Sequence, residues 1–262
     1  MGTEEDMQRE RRQFLIKSLL AESGDYGGVE IPSDDDAQKL LLRALFNLRP
    51  PAPADGAFLR VQDEYLKRET EEKGITDAAS LVPARGRMCM WQGDITTLRC
   101  GAIVNAANSG MTGCYVPNHR CIDNCIHTYA GVQLRLLCAQ IMRAQGHAEP
   151  TGRAKITPAF NLPCDFVLHT VGPIIECCVT DRDRELLASC YRSCLELAAE
   201  KGVRSVAFCC VSTGEFRFPN EEAARIAIDA VEGFLARDRS IERVIFNVFK
   251  ETDRRIYERL LG

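Results

Sequence analysis

No Cys-x2-Cys pair occurs anywhere in these 262 residues, although thirteen of them are cysteine. That spacing excludes a zinc ribbon and a thioredoxin-type redox motif. No apolar run approaches the roughly 20 residues that cross a bilayer. The N-terminal stretch MGTEEDMQRERRQFLIKSLL alternates charge with apolar residues and lacks the continuous apolar run and small-residue cleavage site of an export signal. A basic excess is missing too: 33 Lys and Arg stand against 37 Asp and Glu, net −4, so no nucleic-acid partner is expected. There is no internal repeat, low-complexity tract or heptad seam. We therefore expect a chain of the reducing cytosol, monomeric and off the membrane, with its thiols free or on metal.

With 45% apolar residues the chain can build one large domain, or one domain and a helical appendage. Residues 1–85 read as helices joined by breaks. Met7 to Leu20 is the first, interrupted by GDYGG. Ser33 is placed to cap a second, SDDDAQKLLLRALFNL, with acids in the first turn, and AFLRVQDEYLKRE makes a third. Such short helices cannot bury their faces alone and should dock on residues 86–262. There the texture alternates. MCMWQGDI, CGAIVNA, DFVLHTV, SVAFCCV and RVIFNVF are buried-strand candidates, and helical patterns fall at about 121–143, 181–201, 220–236 and 252–261. The alternation predicts a three-layer α/β/α fold with a largely parallel sheet.

In such sheets ligands gather beyond the carboxyl ends of strands. Two loops lie there. After SVAFCCV, the run Ser212, Thr213, Gly214, Glu215, Phe216 leads into a helix near Asn220, so backbone N–H groups can turn toward an anion; an ordinary strand-to-helix connection has the same composition. After AIVN, Asn105 and Asn108 bracket two alanines, and their carboxamides offer donors and acceptors to hydroxyls or merely close a turn. Asp94, in Gly93-Asp94-Ile95-Thr96, can accept from an exocyclic amine or cap the turn. Asp123 suits a helix first turn, and His127, one turn on, reads as structural.

Most cysteines read as small hydrophobes: Cys209 and Cys210 within a strand, Cys190, Cys194 and Cys138 within helical patterns. The exception is NSGMTGCYVPNHRCIDNCIH, residues 108–127. Cys114, His119 and Cys121 supply three zinc-type donors on one loop, the number a catalytic site uses with one position left for water or substrate. Cys125, one helical turn past Cys121, has the spacing to close the site.

Taken in order, GDIT, AIVNAANS, CIDNCIHTYAG, FVLHTVGP and STGEFRFP resemble the macrodomain family, which binds ADP-ribose. The similarity covers roughly residues 85–262. MTGCYVPNHRCI replaces the glycine-rich stretch of many hydrolytic macrodomains, and with the helical extension carrying LLRALFNLRPP it resembles the zinc-dependent macrodomains that remove mono-ADP-ribose from proteins. That resemblance implies a mixed, largely parallel sheet, adenine contacts from Asp94 and Ile95, Asn108 at the distal ribose, and Ser212 to Phe216 at the diphosphate and distal ribose. It implies Asn108 and Asp123 as catalytic, Asn108 orienting the ribose and Asp123, the catalytic-loop aspartate, positioning water or accepting its proton, and Cys114, His119 and Cys121 as zinc ligands, with Cys125 left to helix packing. The activity expected is zinc-dependent hydrolysis of mono-ADP-ribosylated protein, at Asp or Glu carboxylate esters. A non-catalytic ADP-ribose reader with structural zinc, or a deacylase of O-acetyl-ADP-ribose, would use the same groove.

Overall fold

The computed structural model describes residues 3–22, 26 and 28–262, so most of the GDYGG break lies outside the described residues. Three helices open the chain: α1 (Glu4–Glu22), α2 (Asp35–Leu48) and α3 (Gly56–Lys73). The cap of α2 is Asp34 rather than Ser33. Its carboxylate accepts the Ala37 N–H at 2.8 Å, which places the start one residue later than the acidic run alone indicates. Asp55 caps α3 in the same way, accepting from Ala57 and Phe58. The three helices bury Leu15, Ile16, Leu42, Phe46, Phe58 and Leu66 together, and Val132 of the following domain completes this small core. The extension is thus docked, as three short amphipathic helices must be.

Strands begin at Thr76. A two-residue parallel ladder joins β1 (Thr76–Asp77) to β4 (Leu98–Arg99). The main sheet contains β2 (Pro83–Arg85), β3 (Met88–Gln92), β5 (Ala102–Ala106), β6 (Ala154–Pro158), β7 (Phe166–Thr170), β8 (Ser205–Phe208) and β9 (Arg243–Val248). Its order is β2-β3-β9-β8-β5-β7-β6. The five inner strands are parallel, and β2 and β6 run antiparallel at the edges. Ile103, Val104, Val167, Leu168, Val206, Ala207, Val244 and Ile245 are all fully buried, as near-continuous apolar strands covered on both faces should be. The covering helices are α4 (Ile122–Ala130), α5 (Val132–Gln145), α6 (Asp181–Glu200), α7 (Asn220–Leu235) and α8 (Glu251–Leu261). No helix among the described residues is long and apolar enough to cross a membrane.

Two differences from the sequence reading have local causes. The helix predicted over 121–143 is two helices, broken at Gly131, whose φ of +97° favours glycine. A Cβ there would meet the Gln62 amide of α3 at 2.6 Å, and that amide accepts the Val132 N–H at 2.9 Å. The strand β6 carries no strong signal because AKITP is a half-exposed edge that ends on a proline. Strands β5 and β8 are neighbours at the centre of the sheet. The loops that leave their carboxyl ends therefore open side by side.

Candidate functional site

The loop after β8 is built to present backbone donors. Ser212 has φ +65° and Arg217 has φ +58°, and these left-handed residues curl the segment between them. Phe218 N–H returns to Ser212 O at 3.0 Å, and Phe216 O accepts from Ile175 N–H at 2.9 Å. Among the described residues the N–H groups of Gly214, Glu215 and Phe216 have no backbone acceptor. Consecutive free N–H groups in such a curl form an anion-binding concavity. Gly172, on the neighbouring loop, is required by proximity: a Cβ there would lie on the Ser212 hydroxyl.

At the far side of the sheet, Asp94 caps the short turn Ile95–Thr97 by accepting from Thr96 N–H at 3.0 Å and its hydroxyl at 2.6 Å. Its other oxygen faces Lys73 of α3 at 3.2 Å and is partly open. The Ile95 side chain is buried, so it can offer a ligand only backbone. Phe249 follows β9 with 74% of its surface exposed, and Val248 O accepts the Gly93 N–H. An aromatic face therefore lies open near Asp94. Lys73 and Phe249 escape motif reading; the apolar residue closing RVIFNVF is the sole signal for the second.

Behind the loop after β5 sits a buried hydrogen-bonded group. Asp123 is 5% exposed, and its two oxygens accept from Asn105 Nδ2 at 2.8 Å and Asn108 Nδ2 at 3.0 Å. Burial raises its carboxyl to about 6, with the Asn105 bond, the Arg135 charge and Asn108 working against it. Asn105, expected beside the ligand, is fully buried between Asp123 and His169, so its place is behind the carboxylate. Asn108 also donates to Gly113 O at 3.1 Å, and its Oδ1 accepts from Gly110 N–H at 2.9 Å. One lone pair on that oxygen is left for a partner.

His127 is the floor of the loop that carries Cys114. Gly113, φ +84°, lies so close that a Cβ there would be 2.7 Å from His127 Cγ. Burial holds this imidazole well below its ordinary range, hence neutral. His127, Cys138 and His169 also bring donor atoms within 4.8 Å of one another. Both His169 nitrogens are engaged, by Asn105 at 3.2 Å and Thr157 at 2.9 Å, and all three residues are buried. That trio is internal support.

Cys114, His119 and Cys121 do converge, with donor atoms all within 4.8 Å. Cys114 Sγ lies 3.5 Å from His119 Nδ1. Zinc bonds of about 2.3 Å to sulfur and 2.0–2.1 Å to nitrogen, at tetrahedral angles, put donors at about that separation, so the residues fit the ion. His119 Nε2 points the other way, toward the exposed Glu215 carboxylate, whose Oε1 lies 3.6 Å off, beyond hydrogen-bond distance. Burial lifts the Cys121 thiol to about 12, opposed by the Asn124 N–H on its sulfur and reinforced by Cys114. Cys125 is outside the group.

The Macro domain family model matches residues 104–227. A protein-ADP-ribose hydrolase of Treponema medium is 60% identical over 259 residues, spanning 97% of this chain and 99% of that protein. The chain belongs to the macrodomain family. A Staphylococcus aureus protein-ADP-ribose hydrolase is 46% identical over 95% of this macrodomain and 94% of its own length. Among solved structures, a Trypanosoma brucei macrodomain in complex with ADP-ribose superposes with TM-score 0.66 at 29% identity, covering 84% of this chain and 95% of that one. An Oceanobacillus iheyensis macrodomain variant with ADPR gives 0.62 at 38% identity over 66% and 91%. The Treponema match takes in the helical extension, so the extension belongs to the whole shared by these relatives.

Proposed function

We propose that this macrodomain is a zinc-dependent hydrolase that releases mono-ADP-ribose from modified proteins, cleaving esters of Asp or Glu side chains. The hydrolase class is that of its relatives, named for protein-ADP-ribose hydrolysis. The observation that carries the metal is the meeting of three donors, Cys114, His119 and Cys121, on the loop that also binds Asn108 through Gly113 O and faces Glu215 of the anion loop. Nucleotide-binding and metal-binding groups thereby share one mouth.

The chain's own residues divide the work. Asp94 Oδ2 accepts from the adenine amino group, with Phe249 offering its exposed face to the base. The N–H groups of Gly214, Glu215 and Phe216 donate to the diphosphate, as do backbone amides in other phosphate cradles. Asn108 Oδ1 accepts from a distal ribose hydroxyl. Asp123 acts through Asn108: buried and bonded on both oxygens, it fixes the carboxamide rather than meeting substrate. Positioning of this kind can lower a barrier by several kcal/mol. Cys114, His119 and Cys121 would hold zinc, which when bound polarises an oxygen of the ester or ribose or lowers the pKa of a water toward about 7.

The test is bound metal measured together with release of ADP-ribose from carboxylate-linked and other mono-ADP-ribosylated proteins. One equivalent of zinc and preferential cleavage of the carboxylate ester are expected. Equal turnover with and without zinc would remove the metal from catalysis, and no turnover in either form would leave a reader domain. Preference for O-acetyl-ADP-ribose would move the substrate to a free metabolite.

A further inference from the structure

We propose that the helical extension is the scaffold of the metal loop, and that Arg43 and Asn47 of α2 are the positioning residues through which it acts. This rests on the zinc reading above. Residues 114–121 contain neither helix nor strand, so their backbone polar groups must be satisfied from elsewhere. From below, Asn124 of α4, fully buried, donates to Cys114 O at 3.3 Å and Val116 O at 3.0 Å. From the extension, Arg43 Nη2 donates to His119 O at 2.8 Å and to Asn124 Oδ1 at 3.0 Å. Asn47 Oδ1 accepts the Asn118 N–H at 2.9 Å, while its Nδ2 donates to Thr128 Oγ1 at 2.9 Å.

The carbonyls of two proposed ligand residues, Cys114 and His119, are thus fixed by one network spanning both parts of the chain. Asn118 has φ +57°, the left-handed region that asparagine tolerates better than most non-glycine residues, and it turns the chain just before His119. Asn47 supplies the bond there. Arg135 of α5 locks α2 in turn: its Nη1 donates to Asn47 O at 2.7 Å and Arg49 O at 2.6 Å, and its guanidinium lies over the Tyr115 ring of the loop at 4.2 Å. Groups that orient ligands from outside the coordination sphere typically change metal affinity 10- to 100-fold. The extension is therefore part of the site.

The experiment measures zinc affinity of the full chain by competition with a chromophoric chelator, beside ADP-ribose affinity and the urea midpoint. R43M and N47A should weaken zinc about 10- to 100-fold and leave ADP-ribose affinity nearly unchanged, with R43K recovering part because an ammonium reaches one acceptor. Folded variants that hold zinc as the parent does would overturn the proposal. If R43M does not fold, N47A carries the test alone. Amide exchange at Asn118 in the metal-free protein reads the scaffold independently of zinc: N47A should speed it more than tenfold, and unchanged exchange overturns the scaffold even where the parent binds zinc. A parent that binds no zinc defeats the metal reading instead.

Discussion

Replacing Gly113 by alanine should damage the proposed metal site by a calculable amount, with Gly146→Ala as its control. Both glycines are left-handed, at φ +84° and +77°. Each alanine therefore carries about 1–2 kcal/mol of backbone cost. At Gly146, the C-cap of α5, a Cβ meets nothing within 4 Å, so that cost is the whole effect. At Gly113 the Cβ falls 2.7 Å from His127 Cγ and 2.9 Å from its Cδ2. The His127 ring cannot yield, because it is 1% exposed with Asp123 beside it and the His169 ring beyond. Overpacking of this kind adds about 1–3 kcal/mol. The loop can relieve it only by lifting, which carries Cys114 away and breaks the Gly113 O bond to Asn108. Excess strain thus divides between stability and metal affinity, at about 1.4 kcal/mol per tenfold. Urea unfolding of the metal-free protein and chelator competition for zinc measure the two parts, and hydrolysis measures the consequence. If G113A matches G146A in all three, the loop does not rest on His127 and the geometry argued for it is wrong.

Three further outcomes are expected. Cys114→Ala or Cys121→Ala should abolish hydrolysis and keep appreciable ADP-ribose affinity; parent-rate turnover by either after chelation rules out a catalytic metal. Gly172→Ala forces its Cβ onto Ser212 Oγ, so calorimetry should register at least about a tenfold loss of ADP-ribose affinity while bound zinc stays at parental level. Burial lowers His169 to about 3 and His127 well below its usual range, so only the unfolded chain takes up these protons below about pH 6.5. Their contribution is fully present above pH 6.5 and is lost as the pH falls toward 3, by up to about 1.4 kcal/mol per pH unit for each ring. His169→Gln should flatten the stability slope between about pH 6.5 and 4.5 by about one proton, and an unaltered slope of the urea midpoint contradicts the buried neutral imidazole.

The inner strands were readable because parallel strands covered on both faces leave continuous apolar runs such as AIVNA and RVIFNV, which need no tertiary information. The edge strand β6 was not, since three of its five residues are only partly buried, one is exposed, and its pairing partner is fixed by the sheet. Gly131 looked like one residue of a continuous helix, because the reason for the break is Gln62, almost seventy positions earlier. The same limit applies to the site. Asp94, Asn108, Asp123 and the anion loop stand in short motifs, so their positions could be named, but the motif assigns Asn105 to the ligand and the fold buries it behind Asp123. Arg43 and Asn47 lie within LLRALFNLRPP, which signals the extension but assigns them no role, and Lys73 and Phe249 carry no motif; all four enter the site only when separate segments come together.

Thirteen cysteines pose a choice that spacing leaves open and the convergence of donor atoms narrows. Cys138, Cys190, Cys194 and Cys209 are packed in the main core, where desolvation pushes their thiols up and ionisation is unfavourable. Cys125 is the informative case. One turn beyond Cys121, it had the spacing to complete a four-ligand structural site, yet its sulfur turns toward Arg43 Nη2, at 3.5 Å, and stays outside the group of converging donors. Burial raises the Cys125 thiol, and the Arg43 guanidinium works against that rise. Three converging donors, with the fourth sulfur outside the group, would leave an ion on the proposed site a position for substrate oxygen. The helical extension, through Arg43, thus touches both the His119 carbonyl of the loop and the Cys125 sulfur that lies outside the converging donors.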